Sequence, residues 1–156
     1  MTSNKQNSSL VSRHLIMGSR RKSRELALQM LYQWEVGGHS PAQLLSQFFI
    51  GKALDADVES YARSLFEGAV SHLEELDRLV RDHAQNWRLE RMAAVDRNLL
   101  RVALYELVHH PETPAPVVIN EALEIARRFS GEGSVEFVNG ILDGIRKTLP
   151  ASEAGP

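Results

Sequence analysis

Four basic side chains fall within five residues, Arg20, Arg21, Lys22 and Arg24, interrupted only by Ser23. Guanidinium forks and an ammonium at this density suit phosphate oxygens, and binding of that kind weakens steeply as salt rises. The cluster is expected on the first turns of a helix, where the macrodipole already places partial positive charge. Basic groups there cost a few tenths of a kcal/mol each, roughly, unless an anion compensates, and a phosphate backbone is such an anion. Replacing Arg20, Arg21 and Arg24 with alanine is then expected to flatten the salt dependence while leaving stability equal or slightly raised. An ordinary solvated helix face is the competing explanation.

Phosphate contacts carry no sequence information, so selectivity needs groups that stack on or hydrogen-bond unpaired bases. Gln29, Phe137 and Asn139 are the candidates. Tyr32 and Trp34 stand at helical spacing from core-type neighbours and read as core.

Other chemistry finds little support. The chain has no cysteine, which removes disulfides, thiolate catalysis and cysteine zinc ligands. His109 and His110 project about 100° apart on a helix and lack a third ligand at useful spacing, so they read as a helix end. Asp55, Asp57 and Glu59 lack the glycine and terminal glutamate of a calcium loop and instead suit the start of a helix. Ser64 and Ser71 have no glycine-rich elbow, and no phosphate loop or dinucleotide fingerprint occurs. No catalytic residue, metal or cofactor is expected.

The elements that must position these groups read as helices throughout. Apolar residues recur at helical spacing from Ser19 to Val36, and Gly37-Gly38 ends the pattern. Ser40-Pro41 opens a short helix closed by Gly51, with Leu44, Leu45, Phe48 and Phe49 on one stripe. A long helix is predicted from Asp57 to His83, bent at Gly68. After a break near Trp87 to Arg91, another runs from Met92 to the His109-His110-Pro111 stop. Pro116 opens the next, which carries Ile119 to Phe129, and Ser134 is expected to cap the last, with Phe137, Ile141, Leu142 and Ile145 facing inward. Short connections imply antiparallel neighbours. The fold class is therefore all-α, about seven helices in two packed subdomains at 19–84 and 85–147. Residues 1–18 read as a disordered extension and 148–156 as a polar tail.

The net charge of −2 conceals segregation, because residues 1–25 hold six basic side chains against Glu25 alone. The remainder is acidic, which suits a polyanion at one end and a basic partner elsewhere. No apolar run approaches a membrane span, and the start lacks the core of a signal peptide, so a cytoplasmic protein is expected.

Three segments, in order, resemble the NusB family: Arg20 to Tyr32 (RRKSRELALQMLY), Leu100 to Leu107 (LRVALYEL), and Ile119 to Ala122 (INEA) with Phe137 to Asp143 (FVNGILD). The resemblance spans about Ser19 to Lys147. It implies two helical subdomains and a role in transcription antitermination and termination, through binding the boxA element of nascent ribosomal RNA transcripts. It also implies a ribosomal small-subunit protein, NusE, as partner, with other Nus factors and RNA polymerase contacted indirectly. Arg20, Arg21, Lys22 and Arg24 would contact phosphates and bases, with Gln29 and the Phe137 region completing the surface. Glu90 and Asp96 would offer carboxylates to the basic partner. Gly133 departs from an acidic residue found in some members. The competing readings are an RNA-positioning module like the N-terminal domain of a ribosomal RNA cytosine methyltransferase, and a homodimeric scaffold that hides the same surface.

Overall fold

The computed structural model describes residues 3–84 and 88–150, with side chains from Gly18 onward. Its helices are α1 Ser3–Gly37, α2 Pro41–Phe48, α3 Ala56–Ser71, α4 Leu73–His83, α5 Ala94–His109, α6 Ala115–Phe129 and α7 Glu132–Thr148, with a 3-10 turn at Leu89–Arg91. No strand occurs among the described residues. No helix among them is long and apolar enough to cross a membrane.

Several boundaries follow the expected local chemistry. Gly38 takes φ +73° after α1, a conformation that glycine adopts without steric cost. Ser40 then caps α2 reciprocally with Gln43: its hydroxyl accepts from the Gln43 N–H at 3.2 Å, and its own N–H donates to the Gln43 side chain at 3.1 Å. Asp57 and Glu59 occupy the first turn of α3, where carboxylates favour the helix dipole.

Other boundaries differ. The helix expected from Ser19 begins at Ser3, so the basic cluster lies within α1 and not on its first turns. The dipole argument for that cluster therefore falls. The helix expected from Asp57 to His83 divides at His72, whose φ −112° and ψ 22° leave the helical region. Gly68 serves packing: a Cβ there would stand 2.0 Å from the Tyr105 Cζ, so α3 meets the Tyr105 ring of α5 at a position where any larger residue forces that ring to shift. Helix α7 starts at Glu132, which puts both Gly133 and Ser134 inside it and removes Ser134 as its cap.

Helix α5 runs through the centre, with α1, α3, α4, α6 and α7 packed around it. Its Leu99, Leu100, Val102, Ala103 and Leu104 are buried. They join Leu26, Met30 and Leu31 of α1, Phe66 of α3, Ile125 of α6, and Leu142 and Ile145 of α7 in one hydrophobic cluster. Each large apolar side chain buried this way contributes roughly 1.5–3 kcal/mol. The stripes expected from periodicity on α1, α3 and α7 are thus the ones buried in this cluster. Rigid placement of α1 on this core is what gives its polar side chains fixed directions.

Candidate nucleic-acid interface

Successive residues of a helix point about 100° apart, so the basic run of α1 cannot act as one patch. Arg24 faces inward. It is 5% exposed, and its guanidinium donates to both carboxylate oxygens of the fully buried Glu106 on α5, at 2.5 and 2.9 Å. Burial lowers the Arg24 pKa, but the hydrogen bond and charge of Glu106 outweigh it and leave the group raised. The Tyr61 hydroxyl of α3 donates to the same carboxylate at 2.8 Å. Burial first, then the charge and hydrogen bond of Glu106, raise the Tyr61 pKa and keep it a phenol. Arg24 is therefore a core ion-pair member, and its assignment to phosphate is corrected by its direction.

Arg20 lies one turn earlier, exposed, with its guanidinium carbon 3.6 Å from the centroid of the Tyr61 ring. The chain of contacts from Arg24 through Glu106 to Tyr61 ends on this cation. Arg20 and Tyr61 border a surface cleft with Ser19, Ser23, Asp57, Ser60 and Ser64. Lys22 is exposed, with no ion pair among the described residues. Arg21 is intermediate: its side chain is 43% exposed while it grips both oxygens of Glu121 on α6 at 2.6 and 3.0 Å. The hydrogen bond to Glu121 is the main reason its pKa is raised.

One turn beyond Arg21, buried Glu25 accepts from Arg128 of α6 at 2.9 Å, and the Arg128 side chain remains 68% exposed. Gln29 and Tyr32 follow at i+4 and i+7 from Glu25, on the same face of α1. Gln29 is half-buried. Tyr32, expected in the core, is 42% exposed, and Phe129 beside Arg128 is 44% exposed. Trp34 does pack against the core as expected. Arg128, Phe129 and Tyr32 thus belong to the surface that sequence reasoning missed. The only available signal was the basic end of α6, Arg127-Arg128, which resembles any helix C-terminus.

Phe137 is half-buried on α7, packed against the core, and borders a small cavity with Arg91, Met92, Ala93, Asp96, Gly133 and Ser134. Asn139 is exposed on the same helix. Phe137 therefore approaches the start of α5, whereas Arg20 sits beside α3.

The carboxylates assigned to a partner also separate. Asp96 is 8% exposed and accepts from the hydroxyls of Ser130 at 3.1 Å and Ser134 at 3.0 Å, tying the α6–α7 connection to the first turn of α5. It is a structural group, which corrects its reading as a partner contact. Glu90 is exposed in the 3-10 turn, 3.7 Å from Arg81.

The NusB family model matches residues 21–147. A transcription antitermination protein NusB from Koribacter versatilis is 53% identical over 135 residues, covering 86% of this chain and 92% of that protein. Its counterpart from Solibacter usitatus is 44% identical over 142 residues, covering 90% and 97%. Among solved structures, T. maritima NusB superposes with a TM-score of 0.76 at 37% identity, over 82% of this chain and 90% of that one. A crystal structure of the antitermination factors NusB and NusE in complex with double-stranded RNA superposes with a TM-score of 0.78 at 29% identity, over 85% and 99%.

Proposed function

The chain belongs to the NusB family, and from that premise we propose that this antitermination factor binds boxA-type RNA together with NusE through the exposed flanks of α1, beside α3 at Arg20 and beside α6 at Arg21. The observation that carries the reading is the outward pair Arg20 and Lys22, held on a helix whose neighbouring cation Arg24 is locked in the core. Between α1 and α6, Arg21 and Arg128 add half-satisfied guanidinium groups, each bound to one carboxylate and still open to solvent on another edge. Tyr32 and Phe129 offer exposed rings on which unpaired bases stack, and Gln29 supplies donor and acceptor groups for base edges. Phe137 and Asn139 act at the α7 end of the surface.

In this reading the chain works in the cytoplasm by binding alone, without catalysis. NusE docks against the 3-10 turn and the start of α5, where Glu90 presents an exposed carboxylate to a basic protein. The RNA in the related complex is double-stranded. Titration of the chain with single-stranded boxA-type RNA and with the same sequence as a duplex, each with and without NusE, tests the proposal. Tighter binding of the single strand, strengthened by NusE, is expected. Equal affinity for unrelated RNA with NusE present overturns it. A homodimer occupying the same surface appears in sedimentation as RNA release with rising protein concentration.

A further inference from the structure

His109 and His110 lack a third metal ligand in the sequence around them, but the fold brings two candidates from another part of the chain. His72, at the junction of α3 and α4, and Glu75, on the first turn of α4, stand against His109 at the end of α5. One ligand atom from each residue lies within 4.8 Å of the others. The His72 Nδ1 is 2.9 Å from the Gly68 carbonyl oxygen. A carbonyl only accepts, so Nδ1 carries the proton and Nε2 presents its lone pair. A ligating histidine whose other nitrogen donates to a backbone carbonyl has this arrangement.

The His109 Nε2 is shielded from solvent and forms no hydrogen bond. Its nearest charged neighbour is the Glu75 carboxylate at 3.3 Å. In the Nδ1–H tautomer the His109 Nε2 turns a lone pair toward the Glu75 carboxylate, and a cation between the two satisfies both; in the Nε2–H tautomer the ring faces the carboxylate as a proton donor. Tyr105 stacks on the His109 ring, centroids 5.1 Å apart and planes 26° from parallel, which fixes the ring's direction. The His72 and His109 rings are 4.1 Å apart by centroid, and the half-exposed Glu75 side chain stands beside them. The carbonyl end of α5 adds partial negative charge nearby.

We propose that His72, Glu75 and His109 form a binding site for a divalent transition-metal ion, zinc being the best match to two imidazoles and one carboxylate. With three protein ligands the fourth position belongs to water. The ion would fasten the α3–α4 junction to the end of α5.

The test uses the full chain, stripped with a chelator and then titrated with Zn²⁺ by calorimetry and thermal melting, and with Co²⁺ by visible absorption. One Zn²⁺ is expected to bind and raise the melting temperature, and Co²⁺ to show tetrahedral absorption bands. His72→Gln, Glu75→Gln and His109→Gln should each weaken binding at least about tenfold, while His110→Gln binds as the parent does. Absence of binding, or binding that Glu75→Gln and His109→Gln leave unchanged, overturns the site. Glu75→Gln, at a half-exposed position, decides the matter should a histidine variant fail to fold.

Discussion

Arg20 and Arg24 are one helical turn apart on α1, yet one meets solvent over Tyr61 and the other meets Glu106 in the core. Their roles separate under mutation. Arg24→Ala leaves the Glu106 carboxylate buried without its cation, at a cost of about 3–5 kcal/mol. A fall in melting temperature of roughly 2–4 °C per kcal/mol follows for a chain of this size, read by calorimetry or circular dichroism. This reverses the expectation that an alanine triple variant including Arg24 keeps its stability. Arg20→Ala with Lys22→Ala removes exposed charges, of which only Arg20 touches a core-packed side chain, Tyr61, so its stability should fall by no more than about 1 kcal/mol. The composition of the cluster was legible in the sequence, but the division of labour was not. Arg24 differs from Arg20 only through a partner 82 residues away. The same limit explains Asp96, whose serine partners lie 34 and 38 residues downstream. Asp96→Ala should therefore lower stability by about 1–3 kcal/mol through lost buried hydrogen bonds. Glu90→Lys should leave melting unchanged and weaken association with NusE, measured by calorimetric titration.

At the scale of elements, apolar periodicity placed the inward faces of the helices because it is a local property of each helix. The stop at Pro111 and the Ser40 cap were legible for the same reason. The break at His72 and the role of Gly68 were not, since both depend on α5 lying against α3. Gly68→Ala pushes a methyl group into the Tyr105 ring. Overpacking of this kind costs typically about 1–3 kcal/mol. Thermal melting should show that loss, and Tyr105→Ala in the same chain should relieve much of it, because the two positions couple directly. The start of α1 at Ser3 shows the converse limit. A polar stretch without apolar period gives no signal for helix, and the reading of residues 1–18 as disordered rested on that silence.

Across the whole molecule, α5 forms a hub that holds α1, α3 and α6 in place, with Arg20 exposed on the α3 side of α1 and Arg21 and Arg128 exposed where α1 faces α6. Glu35 of α1 strengthens the hold by pairing with Arg97 and with Arg101, the latter at 2.7 Å. Arg101 also grips both oxygens of Asp77 on α4, at 2.8 and 2.9 Å. Buried ion pairs of this kind fix one arrangement at some cost in desolvation. The segregated charge of the chain, basic early and acidic later, gave no hint of Arg128, which only the fold brings to Glu25 of α1. The direct test of the α1 surface is the dependence of RNA affinity on salt for the parent and for the Arg20→Ala, Lys22→Ala double variant, with boxA-type single-stranded RNA and NusE present. Loss of two phosphate contacts should reduce the slope of log affinity against log salt by about 1.4 and weaken binding, in a variant that stays folded. An unaltered slope and affinity in that folded variant would contradict the assignment of RNA binding to this surface.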